Sequence, residues 1–297
     1  MAQGMIVKAL SGYYYVLPDG QAPGSQELVQ CRARGIFKKQ KITPLVGDRV
    51  EFALTENGEG MVDAIGERKS ELIRPPIANV ELAVLVFSVR EPAFNTQLLD
   101  KFLVHIEKAG LETVLVLSKT DLASADAEWR REIEPYRRMG YEIFLTSSKR
   151  QEGVEAVRRR LSGAVSVFAG QSGVGKSSLV NALLPGLMLM TNEISMRLGR
   201  GKHTTRHVEL IPLGDGWVAD TPGFSQLDFT ELEAEQLAAS FRDFWTYAPA
   251  CRFRGCLHHK EPGCAVREAV AAGELAEWRY EHYIQFLTEI KERKRRY

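Results

Sequence analysis

Two hydrophobic rhythms divide the chain. Over residues 1–68 the apolar positions come in short β-type runs, Met5–Leu10, Tyr13–Leu17, Leu28–Cys31, Arg49–Leu54 and Met61–Ile65, separated by Gly, Pro and Asp turns. So many short strands in so few residues predict a small barrel. The OB type is the expectation because the basic stretch from Arg32 to Lys41 would then lie on a strand and its loop, where such barrels bind single strands; any small β-barrel would give the same pattern. Beyond Pro75-Pro76, which reads as a hinge, near-continuous apolar runs at Leu82–Val89, Thr113–Leu117, Glu142–Leu145 and Ala164–Ala169 alternate with helical stretches over 96–109, 126–139 and 151–162. That alternation predicts a parallel sheet covered on both faces, hence an α/β class. After Asp220 the pattern is helical from Glu231 through Trp245, followed by a Cys/His loop and a helix over Glu274–Arg293. The expected units are a barrel (1–68), an α/β domain (69–228) and a helical C-terminal domain (229–297).

Composition adds limits. The 297 residues are 44% hydrophobic and 26% charged, which is ordinary for a globular chain of about two or three domains. A net charge of +1 excludes a uniformly basic nucleic-acid binder, so an RNA surface must come from local clusters. Two exist: Arg32, Arg34, Lys38, Lys39 and Lys41, and Lys291, Arg293, Lys294, Arg295 and Arg296. A solvated charged face explains either equally well. No apolar run reaches the roughly 18 residues of a membrane span, and the start lacks a signal-peptide pattern, so no membrane association and a cytoplasmic location are expected. Three of the four cysteines fall within residues 251–264 while Cys31 stands apart, an arrangement suited to metal binding in a reducing compartment.

The chemistry-bearing motifs begin with Gly170-Gln171-Ser172-Gly173-Val174-Gly175-Lys176-Ser177, which follows the apolar run Val165–Ala169 and precedes the helical Ser178–Leu184. This is the context a phosphate loop requires. Glycines let the backbone wrap the phosphates, N–H groups at the helix start meet negative charge, Lys176 reaches the β/γ oxygens and Ser177 ligates Mg²⁺. Asp220-Thr-Pro-Gly223 follows the apolar Trp217–Ala219, placing Asp220 where it can hold Mg²⁺ and the Gly223 N–H where it can face the γ-phosphate.

Ser118-Lys119-Thr120-Asp121 ends the run Thr113–Leu117, at the sheet edge where open α/β sheets bind ligands. Asp121 can accept from guanine N1–H and the 2-amino group, which adenine does not offer, and such a site discriminates by about 10⁴ or more. GTP is therefore expected over ATP. Ser118 stands where this motif usually has Asn, which leaves the discriminating carboxylate but opens the question of one supporting contact. Thr146-Ser147-Ser148, after Glu142–Leu145, matches the loop whose backbone N–H would meet guanine O6. The order matters: the base-reading motifs precede the phosphate loop, so the domain reads as circularly permuted, with the second switch at its C-terminal edge.

Many GTPases orient water with a glutamine after Asp-x-x-Gly; here that position is Phe224. The glycine-rich Gly199-Arg200-Gly201-Lys202-His203-Thr204-Thr205 suits a first switch. Thr204 or Thr205 could close over Mg²⁺ and the γ-phosphate, with Thr205 the magnesium candidate beside Ser177. His203 could position or activate water, or be a merely exposed loop histidine. Finally, Cys251-x₄-Cys256-x-His258-x₅-Cys264 offers three thiolates and an imidazole, matching one closed structural zinc site, with His259 an alternative to His258.

Together the permuted order, the phosphate loop at 170–177, Arg200-Gly-Lys-His-Thr-Thr205, Asp220-Thr-Pro-Gly-Phe224 and the Cys/His spacing resemble the RsgA (YjeQ/YloQ) family of ribosome small-subunit-dependent GTPases, over nearly the whole chain. The resemblance implies an OB barrel, a permuted GTPase domain and a C-terminal zinc domain. It further implies subunit-stimulated GTP hydrolysis to GDP in late small-subunit maturation, rRNA contact, and a role in hydrolysis for the histidine at 203. A monomer is expected. Two other readings stay open: an RNA-binding module with a regulatory nucleotide site, and a GTPase switch for a protein partner.

Overall fold

The computed structural model describes residues 1–73, 75–123, 128–184, 208–219, 227–230 and 232–295. Strands β1 (Ala2–Leu10), β2 (Tyr13–Pro18), β3 (Val29–Ala33), β4 (Arg49–Leu54) and β5 (Gly60–Ile65) pair in the order β1-β2-β3-β5-β4, and β4 pairs back onto β1. The sheet thus closes into a five-stranded barrel, which leaves no unpaired edge. Alternation sends Ile6, Val16, Cys31, Phe52 and Val62 inward, each at most 2% exposed. The basic stretch departs from the expected strand and loop: Arg32 lies on β3, but Gly35–Lys39 forms a short helix, α1. Phe37 explains this, because one helical turn drops its ring into the barrel core.

Pro75-Pro76 lie in the turn between the short strands β6 (Glu71–Leu72) and β7 (Ile77–Ala78), so the expected hinge is a hairpin. It is fastened to the barrel. The Ala78 N–H donates to the Val46 carbonyl at 2.9 Å, and Arg68 grips the fully buried Asp48 carboxylate at 2.7 and 2.8 Å.

The second sheet contains β8 (Leu82–Ser88), β9 (Glu112–Ser118), β10 (Glu142–Leu145), β11 (Val165–Ala169), β12 (Val208–Leu213) and β13 (Gly216–Ala219), in the order β10-β9-β8-β11-β13-β12. All neighbours are parallel except β12 against β13. Helices α2 (Thr96–Lys108), α3 (Trp129–Arg138), α4 (Val154–Leu161) and α5 (Lys176–Leu183) cover it. The period of two decides which face each residue serves: Leu82, Val84 and Val86 pack with α4 and α5, whereas Ala83, Leu85 and Phe87 pack with α2 and α3. Strand order reverses direction between β8 and β11, and ligands of such sheets bind at the carboxyl ends beside that reversal. The outer edge of β12 is covered by β1, with Lys8 opposite Glu209 and their charges 3.2 Å apart, so barrel and sheet form one continuous surface.

The C-terminal unit comprises α6 (Ala234–Ala239), α7 (Ala265–Ala271) and α8 (Glu277–Arg295). The helix expected through Trp245 stops at Ala239 and resumes as a 3₁₀ turn over Arg242–Phe244. The tighter winding brings positions three apart nearly into line, so Phe241 and Phe244 both face Tyr283 of α8, at 5.2 and 4.9 Å between ring centres. Phe229, Leu237 and Phe286 complete a core that also takes in Val104 of α2. Beside it lies a buried polar network. Arg279 bonds Asp100 and Asp243, both at 2.9 Å, while Tyr136 and His282 also reach Asp100, at 2.9 and 2.7 Å.

Candidate functional site

The carboxyl ends of β9, β10 and β11 bring three sequence motifs to one edge. After β11 the chain turns through Gly170, whose φ is 141°, and a Cβ there would sit 2.1 Å from the Val86 carbonyl oxygen. Only glycine fits that approach. Gly175, at φ 93°, then leads into α5, so the N–H groups of Lys176, Ser177 and Ser178 open the helix. Gln171, Ser172 and Gly173 are exposed, whereas Val174 is buried and pins the loop's inner side. The Lys176 ammonium donates to the Gly170 and Gln171 carbonyls at 2.8 and 2.7 Å, which holds it across the loop mouth; burial lowers its pKa.

Ser118 answers the question its replacement of Asn raised. The residue is 3% exposed and its hydroxyl faces the backbone carbonyls of Val174 and Phe87, so it ties the end of β9 to the Gly170–Ser177 loop. Next to it Lys119 takes a left-handed conformation, φ 58°, and its ammonium donates to the Glu91 carbonyl. Thr120 donates through its N–H to the Thr146 carbonyl at 3.2 Å, joining the loops after β9 and β10. Ser147 then donates from Oγ to Asp121 Oδ1 at 2.7 Å, and this bond is the main reason the Asp121 carboxyl lies below its ordinary pKa. The carboxylate is thus ionised at neutral pH and held by the Ser147 hydroxyl. Ser148 follows in the same turn, half-buried. The Ser147 hydroxyl also accepts from the Arg150 N–H at 3.2 Å, a contact the sequence reading missed because it depends on the turn.

His203, Thr204, Thr205, Asp220, Gly223 and Phe224 lie outside the described residues. The strands that flank those segments are described: β12 begins at Val208, and β13 ends at Ala219 directly beside β11.

The second constellation is the Cys/His loop. Cys251, Cys256, His258 and Cys264 each bring one ligand atom within 4.8 Å of the others. His258 Nδ1 lies 3.6 Å from Cys251 Sγ and 3.4 Å from Cys264 Sγ, with 3.9 Å between those sulfurs. A tetrahedral ion with Zn–S of about 2.3 Å and Zn–N of about 2.0 Å requires donor separations of roughly 3.5–3.8 Å, so these residues fit one metal ion. The chemistry agrees: burial pushes the Cys256 thiol up to about 12 and lowers His258, so a neutral imidazole is present and only a cation would favour the thiolates. His258, not His259, joins the cluster. Tyr280 and Tyr283 of α8 donate to the His258 and Leu257 carbonyls at 2.7 and 2.5 Å. Burial works to raise the pKa of Glu261, yet hydrogen bonds from N–H groups including His259 and Leu257 hold its carboxyl below the ordinary value. None of these supporting residues carries a motif, although Glu261 in a His-Lys-Glu-Pro-Gly turn is a legible loop acceptor.

The model of the RsgA GTPase family matches residues 65–230, and that of the RsgA N-terminal domain matches residues 3–62. The chain belongs to the RsgA GTPase family. It is accordingly a GTP-hydrolysing enzyme. A small ribosomal subunit biogenesis GTPase RsgA from Geobacillus kaustophilus is 55% identical over 299 residues, covering all of both chains. Among solved structures, that of YloQ, a circularly permuted GTPase, has a TM-score of 0.84 at 49% identity, covering 98% of this chain and 95% of its own. YjeQ from Thermotoga maritima gives 0.85 at 38% identity, covering 97% and 98%. The permuted order read from the RsgA motifs is therefore a property of the fold. No helix among the described residues is long and apolar enough to cross a membrane.

Proposed function

We propose that the protein hydrolyses GTP to GDP and phosphate when stimulated by the small ribosomal subunit, and that it acts late in that subunit's maturation. The observation that carries this reading is the meeting of Asp121, Ser147 and the phosphate loop at one sheet edge, tied by Ser118, in a chain of this family. In it, Asp121 reads guanine, Ser118, Lys119, Thr120 and Thr146–Ser148 shape the base pocket, and Gly170–Ser178 hold the phosphates. Mg²⁺ would be held by Ser177 and Thr205, with Asp220 nearby, and would neutralise charge developing on the phosphates. Thr204 or Thr205 would close over the γ-phosphate, which the Gly223 N–H would meet, and His203 would position the attacking water in place of the glutamine that Phe224 replaces. One zinc ion on Cys251, Cys256, His258 and Cys264 serves structure alone, because four protein ligands leave no open position. The working units are residues 1–68, 69–228 and 229–297, in a cytoplasmic monomer that contacts rRNA.

The test is multiple-turnover GTP hydrolysis with and without purified small subunits, for wild type and His203→Ala. Slow turnover alone and strong stimulation by subunits are expected, approaching the roughly 10³–10⁵ gained when partners complete other GTPase sites. The variant should bind GTP and subunits yet lose most of the gain. Unchanged turnover of the wild type on adding subunits would overturn the reading.

A further inference from the structure

The four side chains of the metal cluster are not equally sheltered. Cys256, His258 and Cys264 are at most 9% exposed, whereas Cys251 is only partly buried. Cys251 is also reached from outside: a groove of about 370 Å³ runs along the Cys/His loop and is lined by Cys251, Cys256 and His258 together with Trp245, Arg252 and Arg254. Cys264 does not line the groove, yet its Sγ lies 3.9 Å from Cys251 Sγ. One sulfur is open to small solutes, and a second lies directly beside it.

This asymmetry has chemical consequences. A metal ion bound by these residues keeps each coordinating sulfur as a thiolate, so access decides which one meets an oxidant first. At Cys251 the guanidinium groups of Arg252 and Arg254 on the same groove add positive charge, the surroundings in which a partly exposed thiolate is reactive. Cys31 gives the contrast, since it is fully buried in the barrel core.

We propose that Cys251 is an oxidant-reactive site and Cys264 its resolving thiol, so that hydrogen peroxide or another small hydroperoxide converts the cluster into a Cys251–Cys264 disulfide. First the Cys251 sulfur attacks one peroxide oxygen: an S–O bond forms, the O–O bond breaks and hydroxide leaves. Cys251 becomes a sulfenic acid, oxidised by two electrons while the peroxide is reduced. The Cys264 thiolate then attacks the Cys251 sulfur, the S–S bond forms and the sulfenic oxygen leaves as hydroxide. The sulfurs must close from 3.9 Å to the roughly 2.05 Å of an S–S bond, a movement of about 2 Å within one loop. Two thiolates are thereby lost to the metal, and the ion is released. With the ion gone, the loop is fastened to α8 by hydrogen bonds such as those from Tyr280 and Tyr283 to the His258 and Leu257 carbonyls, and such bonds contribute far less than structural zinc. In its effect on turnover the inference rests on the proposed function, because a loosened C-terminal unit alters hydrolysis only if the small subunit stimulates it; the thiol chemistry stands apart from that reading.

Full-length, zinc-loaded protein is treated with hydrogen peroxide below stoichiometry. Released zinc is read with a chromogenic chelator, and peptide mass spectrometry without reductant locates the modified sulfurs. One zinc should leave per disulfide formed, the linked pair should be Cys251–Cys264, Cys31 should stay unmodified, and dithiothreitol with zinc should restore the starting state. Dimedone added with the peroxide should label Cys251 first, and Cys264→His, which keeps a metal ligand, should accumulate more of that label. Cys251→His should hold zinc and lose the fast release. Where either variant fails to hold zinc, the order of labelling in the wild type carries the test. First labelling at Cys256, Cys264 or Cys31, a different linked pair, or zinc retained once the peroxide is consumed would overturn the proposal. Stimulation of GTP hydrolysis by small subunits is measured before and after oxidation. Loss on oxidation, recovered with dithiothreitol and zinc, is expected; stimulation that survives complete disulfide formation removes the effect on turnover. Absence of stimulation in the reduced protein removes the proposed function instead, and labelling and zinc release then decide the thiol site.

Discussion

Arg279→Met offers the sharpest test of how the C-terminal unit is held to the GTPase domain. The guanidinium is 1% exposed and lies between Asp100 of α2, fully buried, and Asp243, whose side chain is 10% exposed. Burial raises the Asp243 pKa even with Arg279 beside it, so its carboxylate depends on that cation. Methionine would fill much of the space but leave two carboxylates without their cation. Removing one partner of a buried pair costs about 3–5 kcal/mol, far more than an exposed pair would contribute. With a urea dependence of about 2 kcal/mol per M, a loss near 4 kcal/mol lowers the unfolding midpoint by about 2 M. Tryptophan fluorescence would report it, because Trp278 neighbours His282 in the same network. Adding Asp100→Asn and Asp243→Asn should recover part of the loss, since neutral amides are cheaper to bury than bare charges. A midpoint shift equivalent to less than about 1 kcal/mol, or a triple variant no better than the single one, would refute the argument.

Other expectations follow from individual groups. Asp121→Asn should shift preference from guanine toward xanthine nucleotides in competition binding, because the amide donates where the carboxylate accepted. Ser118→Ala removes the tie to the Val174 carbonyl and should weaken GTP binding about 2- to 12-fold, the equivalent of a hydrogen bond worth about 0.5–1.5 kcal/mol, as read by fluorescent-nucleotide titration. His105, stacked on Phe229, has its pKa lowered from 6.5 chiefly by burial, so the unfolded chain binds its proton more readily. Its share of stability is full above about pH 6.5 and falls as pH drops, by up to about 1.4 kcal/mol per unit until the lower folded pKa is reached; denaturation curves of His105→Phe should lack that slope. Cys264→Ala or chelation should release one metal ion per chain and unfold the C-terminal unit, since structural zinc carries about 10–16 kcal/mol of apparent binding energy; metal analysis and circular dichroism check it.

What the sequence revealed was governed by local rules. The runs at Arg49–Leu54 and Glu142–Leu145 coincide with β4 and β10, because alternation or unbroken apolarity is decided residue by residue. The strand-to-helix turn at Gly170–Ser177 was legible for the same reason: glycine at 170 and 175 answers a backbone demand that no other residue meets. Features set by distant partners were not legible. The helix α1 depends on a barrel core that receives Phe37, and the 3₁₀ turn at Arg242–Phe244 depends on Tyr283, about forty residues later. The Arg279 network spans 179 positions to Asp100, and a helical arginine gives no local sign of such burial. Ser118 is the intermediate case: its departure from Asn was visible, but its bond to Val174 required the two strand ends to be placed side by side.

The permuted order acquires a physical meaning from where the chain is anchored. In a sheet, cutting a domain at one loop and joining its former ends leaves strand packing unchanged, so the nucleotide edge can survive while the termini move. Here the move puts β12 and β13 late in the chain, with β12 at the sheet edge against β1 of the barrel and the exit from β13 leading toward Phe229. Phe229 is buried between His105 and Lys101 of α2 and Phe286 of α8, and Arg293 donates to its carbonyl. An ordinary strand order would spend these positions inside the domain. In this one, β12, the neighbour of the strand that leads into the Asp220 motif, abuts the barrel, and Phe229 beyond that motif is clamped by the C-terminal unit, so both flanking units hold the chain on either side of the motif.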